Sequence, residues 1–235
     1  MRMDPDAENP LTGGWVTTGV VRVGDTVRRP PTKNAPLAQR LLEHLEEVGF
    51  EAAPRFLGID EQGREILTFI EGDVPSDCRT MIWGDDQLVA AASLLGRFHA
   101  ATAGHAMAAD ADAVCHNDFG PWNLVWKDDM PVGIIDFDEA APGTCLDDLG
   151  YAIWKHLNLG LVDLSPREHG RRLKVMCTAY GVPPDAHVLT AIERAQRRMQ
   201  GLITAALSSP GKEDALLQDE VERSWLRVNG AALVE

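Results

Sequence analysis

No uninterrupted apolar stretch in this chain approaches the about eighteen residues needed to cross a bilayer. The opening MRMDPDAENP is polar and acidic, unlike the basic-then-apolar start of a secretory signal. A cytoplasmic location without a membrane partner is therefore expected. Basic residues are in deficit, with 22 Lys plus Arg against 36 Asp plus Glu and a formal net charge of −14. Nucleic-acid binding calls for a basic face, so no nucleic-acid partner is expected. A cationic small ligand is permitted by the same balance, although acidic surfaces mostly serve solubility. Cys78, Cys115, Cys145 and Cys177 are widely spaced and form no C-x-x-C pair, in a chain too large to need disulfide stapling, so reduced thiols are expected. Cys115 adjoins His116 and reads as a small buried side chain. Internal repeats and low-complexity stretches are absent, and the single compositional break is Asp73 to Asp77 around Pro75.

What is present is enough apolar material, 45% of 235 residues, to bury a substantial core as one large domain or two small lobes. Gly19 to Val23 and Thr26 to Arg29 flank Gly24-Asp25, which reads as strand, tight turn and strand, ended by Pro30 and Pro31. Leu37, Leu41, Leu42, Leu45 and Val48 recur at helical spacing, predicting a helix from about Pro36 to Val48 that stops at Gly49. Phe56 to Ile59 and Glu65 to Ile70 form a second hairpin pattern around Gly63. Leu88, Ala91, Ala92, Leu95, Phe98 and His99 fall on one stripe of a helix from about Asp86 to Ala101. LGYAIWKHLNLGL reads helical. Ser165-Pro166-Arg167-Glu168 supplies an N-cap, a first-turn Pro and a capping Glu for a further helix to about Tyr180. Periodic segments from Asp185 to about Ala206 and from Glu213 to Arg227 complete a helical C-terminal part.

The chemistry concentrates in CHNDFGPWNLVWKDDMPVGIIDFDEA, which holds His116, Asp118, Asn123 and Asp136. Leu124 to Trp126 and Val132 to Ile135 are short apolar runs separated by turn formers, a β-hairpin pattern. A hairpin symmetric about Asp129 and Met130 sets Asn123 opposite Asp136 at its open end. Gly120 and Pro121 argue for a tight loop that returns Asp118 to the same spot. Two carboxylates about 4 Å apart repel by roughly 4 kcal/mol at an effective dielectric near 20, so Asp118 and Asp136, with Asp138 nearby, call for a cation. Hard oxygen donors suit Mg²⁺, whereas zinc would want more His or Cys than this segment holds.

The pattern H-x-D-x-x-x-x-N followed by I-I-D-F resembles the aminoglycoside phosphotransferase and choline kinase families, relatives of the protein kinases. The resemblance implies an α+β, bilobal protein-kinase-like fold. Residues 1–72 would be a small nucleotide-binding β lobe with one helix and the linker, and residues 73–235 a mainly helical lobe. By it, Asp118 would accept the proton of a substrate hydroxyl, His116 would brace the loop, and Asn123 and Asp136 would hold Mg²⁺ and so bind the nucleotide cofactor, ATP or GTP. Asp148, in the Asp-Leu-Gly segment, would support the loop from behind. The partner implied is a hydroxyl-bearing small molecule, and the oligomeric state is left open.

Two departures stand out. There is no G-x-G-x-x-G, and only Gly13-Gly14 with Thr17 and Thr18 before Gly19 could cover phosphates. The basic residue expected near the end of the third strand, usually Lys, is represented by Arg28 and Arg29, with Lys33 a weaker alternative; Arg for Lys is no neutral exchange. The helix expected to offer a Glu partner has Ala38 there, with Glu43 further along. Asp138, Glu139, Asp163 and Glu193 are acidic residues that an acceptor pocket could use, and Trp122 and Trp154 could frame a ring-shaped acceptor, though core packing suits both. The Arg pair and the missing helix Glu also motivate an alternative: a weak or inactive relative that gives immunity by binding a toxin or antibiotic. A protein kinase is disfavoured, because no long activation segment separates Asp136 from Asp148.

Overall fold

The computed structural model describes residues 7–11, 19–205 and 212–235. The Gly13-Gly14 and Thr17-Thr18 stretch lies outside the described residues. An N-terminal antiparallel sheet is followed by a mainly helical part, the α+β arrangement expected. The sheet contains β1 (Asn9–Pro10), β2 (Val21–Val23), β3 (Thr26–Arg29), β4 (Phe56–Ile59) and β5 (Glu65–Thr68) in the order β1-β2-β3-β5-β4. Between β3 and β4 runs α1 (Ala35–Glu47), which buries Ala38, Leu41, Leu42 and Leu45 at the spacing its leucines foretold. The register sets Arg28 opposite Ile66 and Arg29 opposite Glu65.

The chain leaves the sheet through Gly72, whose φ of +150° and whose approach to the Trp126 carbonyl, 2.4 Å from where a Cβ would stand, both require glycine. Asp73 and Trp126 then exchange backbone hydrogen bonds of 2.7 and 2.8 Å. The helical part holds α2 (Asp85–Thr102), β6 (Ala113–Cys115), the hairpin β7 (Leu124–Lys127) and β8 (Met130–Ile134), β9 (Ala141–Gly143), α3 (Cys145–Leu157), α4 (Pro166–Tyr180), α5 (Ala186–Ala205), α6 (Lys212–Asn229) and α7 (Ala231–Val234). Ser165 caps α4 by accepting from Glu168 N at 3.2 Å. Helices α3 and α5 pack so closely at Gly150 that a Cβ there would lie 2.6 Å from the Ala191 backbone. One apolar core runs from α1 through the β7–β8 hairpin into α2, α3, α4 and α5, with Phe98, Phe119, Leu124, Ile134 and Tyr151 at its centre. Among the described residues no helix is long and apolar enough to cross a membrane.

The hairpin differs from expectation by one residue. Its turn is Asp128-Asp129, both with positive φ (50° and 62°), the left-handed pair that a two-residue hairpin turn demands and that Asp tolerates. A bulge between Val125 and Trp126 shifts the register again, so Leu124 faces Ile134. Asn123 O accordingly accepts from Ile135 N at 2.9 Å, and Asp136 lies one step beyond.

Candidate active site

Strand β6 delivers the chain to His116, and the loop that follows is held from behind by Asp148 on the first turn of α3. Both Asp148 oxygens accept backbone N–H groups, from His116 at 2.7 Å and Asn117 at 2.8 Å, and Oδ2 also receives His99 Nε2 at 2.9 Å. Burial alone would push this carboxyl up, but the hydrogen bond and charge of His99 outweigh it and hold Asp148 below the usual carboxylate range. Its partner His99, buried with it and bonded to it, is lifted to about 9 against the cost of burial. The pair is a buried ion pair, fully hydrogen-bonded. His116 is itself buried among Phe98, Phe119 and Phe137. Its Nε2 donates to Ile135 O at 3.0 Å and its Nδ1 accepts from Asp118 N at 3.3 Å, so the ring ties the loop to the end of β8.

Asp118 is gripped from three sides. Tyr151 Oη donates to Oδ1 at 2.5 Å, Asn123 Nδ2 donates to Oδ2 at 2.7 Å, and Trp122 Nε1 stands 3.5 Å from Oδ2. Burial, then the Asp118 charge, push the Tyr151 hydroxyl well above its ordinary pKa, so it remains a donor. Asn123 spends its amide N–H groups on Asp118, leaving its Oδ1 without a hydrogen bond among the described residues. Asp136 sits in the left-handed region at φ 63°, and burial, then the neighbouring Asp138, hold its carboxyl above the usual range. Asp118, Asn123 and Asp136 line one cavity of about 1180 Å³.

Arg29 reaches this cavity and Arg28 does not. Successive strand residues point to opposite faces. Arg29 donates to Glu65 Oε2 at 2.9 Å, lies 3.4 Å from Asp136 Oδ1, and bonds Asp138 Oδ1 through its second terminal nitrogen. The cation that the carboxylate cluster demands is thus supplied in part by the protein. Arg28 instead stands 3.8 Å from Asp60 and does not line the cavity. Lys33 is exposed and does not line the cavity. The acidic partner of the strand Arg comes from β5 rather than from α1, which contributes Gln39, donating to Glu65 Oε1 at 2.8 Å. Glu65 was legible only as a charged residue opening the apolar strand EILT.

At its far end the cavity is walled by Trp154, Lys155 and α6 residues Asp214, Gln218, Asp219 and Glu222. Lys155 Nζ lies 3.3 Å from the Trp154 ring centroid and 3.4 Å from Glu222 Oε2, and burial lowers its pKa. Asp219 is 4% exposed, with Oδ2 3.5 Å from Arg223 and Oδ1 without a hydrogen-bond partner among the described residues. Of the acidic residues singled out in the sequence, Asp138 is bound by Arg29, Glu193 pairs with Arg197 at 3.6 Å, and Glu139, Asp163 and Glu193 do not line the cavity. Trp122 and Trp154 do line it. Tyr151 and the α6 carboxylates were missed. Tyr151 follows Asp148 by one helical turn, so the face that brings Asp148 to the loop brings Tyr151 as well.

The sheet, the helices behind it and this loop define a kinase-like phosphotransferase. The match to the phosphotransferase enzyme family model spans residues 86–202. The chain is 32% identical over 197 residues to the trifolitoxin immunity protein of Rhizobium leguminosarum bv. trifolii, with 73% of each chain covered. It belongs to the phosphotransferase enzyme family. A Ralstonia eutropha JMP134 protein classed among aminoglycoside phosphotransferases superposes with a TM-score of 0.64 at 14% identity, over 94% of this chain and 92% of that one. Choline kinase from Cryptosporidium parvum Iowa II gives 0.62 at 12% identity, over 92% and 87%. At these identities the likeness is one of fold.

Proposed function

We propose that the protein transfers the γ-phosphoryl group of ATP or GTP to a hydroxyl of a small, cationic molecule. The observation that carries this is the immobilised Asp118, set between an oxygen-lined pocket and an acidic chamber. Residues 1–72 would act as the nucleotide lobe and 73–235 as the catalytic lobe, meeting at the cavity. Val27, Leu67, Phe69, Ile70 and Val125 offer its other end an apolar slot suited to a planar base. The donor set fits Mg²⁺: Asn123 has a free carbonyl oxygen, and Asp136 is a carboxylate crowded by Asp138, both hard oxygen ligands. Bound there, the ion would neutralise phosphate charge.

The chain's own residues do the rest. Asp118, aligned by Tyr151 and Asn123, would receive the acceptor's hydroxyl proton and orient the oxygen for in-line attack. Arg29, released from Asp136, would turn a guanidinium edge to the phosphates while Glu65 retains the other edge. The Asp219 oxygen that has no partner among the described residues, with Asp214 and Glu222, supports an ammonium-bearing acceptor. A cytoplasmic setting would supply nucleotide.

A second function, immunity by sequestering a toxin without modifying it, draws on the trifolitoxin immunity relative and on the hold Arg29 has on Asp136 and Asp138. ATP and GTP consumption measured against aminoglycosides, choline-like alcohols, homoserine and sugars separates the two. Acceptor-dependent consumption is expected; tight binding of any of these ligands with no nucleotide consumed would favour sequestration.

A further inference from the structure

Asp136 sits on backbone that most side chains avoid, at φ 63°, and a residue other than glycine keeps that conformation only where its flanks are held. The upstream flank is tied at Ile135 O by His116 Nε2, 3.0 Å away. The downstream flank is the 3₁₀ turn Phe137–Glu139, closed by Ala140 N donating to Phe137 O at 3.1 Å. Beyond that bond, three successive carbonyls accept side-chain amides. Asn34 Nδ2 donates to Asp138 O at 2.9 Å and to Ala140 O at 3.0 Å, and between them Asn117 Nδ2 donates to Glu139 O at 3.0 Å.

The two asparagines come from opposite sides of the molecule. Asn34 immediately precedes α1, a position where asparagine ordinarily caps its own helix. Its side chain makes no such bond, and its amide is spent on the turn after Asp136 instead. Asn117 stands between His116 and Asp118 at φ 64°, a left-handed conformation that Asn tolerates. Its N–H donates to Asp148 Oδ1 at 2.8 Å, and its carbonyl accepts from Arg198 of α5. Two helices therefore fix its backbone while its side chain reaches across to the turn. Neither asparagine lines the cavity, so whatever either does there is done through Asp136 and its neighbours.

We propose that Asn34 and Asn117 are positioning residues, which clamp the turn after Asp136 and so fix the direction in which its carboxylate meets a divalent ion; this rests on the metal reading given to Asn123 and Asp136. Asn117 spans the two candidate carboxylates, because its backbone leads directly into Asp118 and its side chain holds the turn that follows Asp136. Asn34 ties the same turn to the sheet. Arg29 bonds the Asp138 side chain, whereas Asn34 bonds the Asp138 carbonyl. A guanidinium that turns to phosphate thus leaves the turn still attached through Asn34. Groups that orient a metal ligand without touching the metal carry about ten- to a hundredfold of its affinity.

Calorimetric affinities of the full chain for ATP and GTP, each measured with Mn²⁺ and with EDTA, test this. The wild type should bind nucleotide more tightly with Mn²⁺, and Asp136→Asn should abolish that gain. Asn34→Ser keeps a residue favoured before a helix, and Asn117→Gly keeps a residue at ease in the left-handed region, so both variants delete the clamp with the local backbone satisfied. Each should lose about tenfold of the Mn²⁺ gain while its affinity in EDTA stays within about twofold. A gain that Asp136→Asn removes but an asparagine variant retains in full would overturn that residue's role and leave the metal reading intact. No gain in the wild type with either nucleotide, or one that survives Asp136→Asn, would overturn the metal reading and the clamp together. Equal losses with Mn²⁺ and with EDTA would mark a general disturbance of the fold and overturn the positioning role.

Discussion

The two walls of the cavity are built in opposite ways. The loop wall, residues 116–123, is fixed by many short-range contacts: two backbone amides on Asp148, a histidine bridging to Ile135, and three donors on Asp118. The sheet wall presents one long side chain, Arg29, whose partners come from β5 and from the segment after β8. The loop is over-determined, so its geometry survives without substrate. The Arg29 wall is a set of exchangeable charge pairs, which under the proposed reaction a polyphosphate would rearrange.

The sharpest way to break this contrast is to remove the one group on the rigid wall that would handle a proton. Asp118→Asn should lower kcat by about 10²–10⁴-fold with nucleotide Kd little changed, because a general base contributes on that scale; steady-state kinetics beside nucleotide titration checks it, and wild-type turnover would refute the role of Asp118. Next comes the brace. Asp148→Asn removes the charge that keeps His99 protonated, breaks the buried ion pair and weakens two amide bonds, so unfolding in urea should show a loss of about 3 kcal/mol. A loss below about 1 kcal/mol would mean that the loop does not depend on Asp148. On the pliant wall the effect is smaller and selective. Arg29→Met should raise the KM for nucleotide about tenfold, the scale of one charge-assisted hydrogen bond, while Arg28→Met should leave it within about twofold, since Arg28 does not line the cavity and its partner is Asp60 at 3.8 Å. Equal effects at the two positions would erase the distinction between the strand's faces.

The same contrast explains what could be read from the chain alone. Helices with an apolar stripe and a capped start were visible, as α1, α2 and α4 show, because their signals are local. His116, Asp118, Asn123 and Asp136 were visible because one short segment carries them all. The hairpin register slipped by one because a bulge and a left-handed Asp pair leave little trace in composition. Glu65, the α6 carboxylates and the β6–β9 pairing were missed because each acquires its role from residues distant in sequence. Choosing between Arg28 and Arg29 needed the strand's facing, which two adjacent arginines cannot disclose. Cys115 was correctly expected to be buried, since it closes a strand of small apolar residues.

The backbone exchange between Asp73 and Trp126 has a mechanical corollary. It staples the start of the helical part to the hairpin that carries Asn123 at one end and leads to Asp136 at the other, so these move as a single plate. Under the proposed reaction, any widening of the crevice to admit a nucleotide would be accommodated upstream of Asp73, before the chain packs against Trp126 at Gly72.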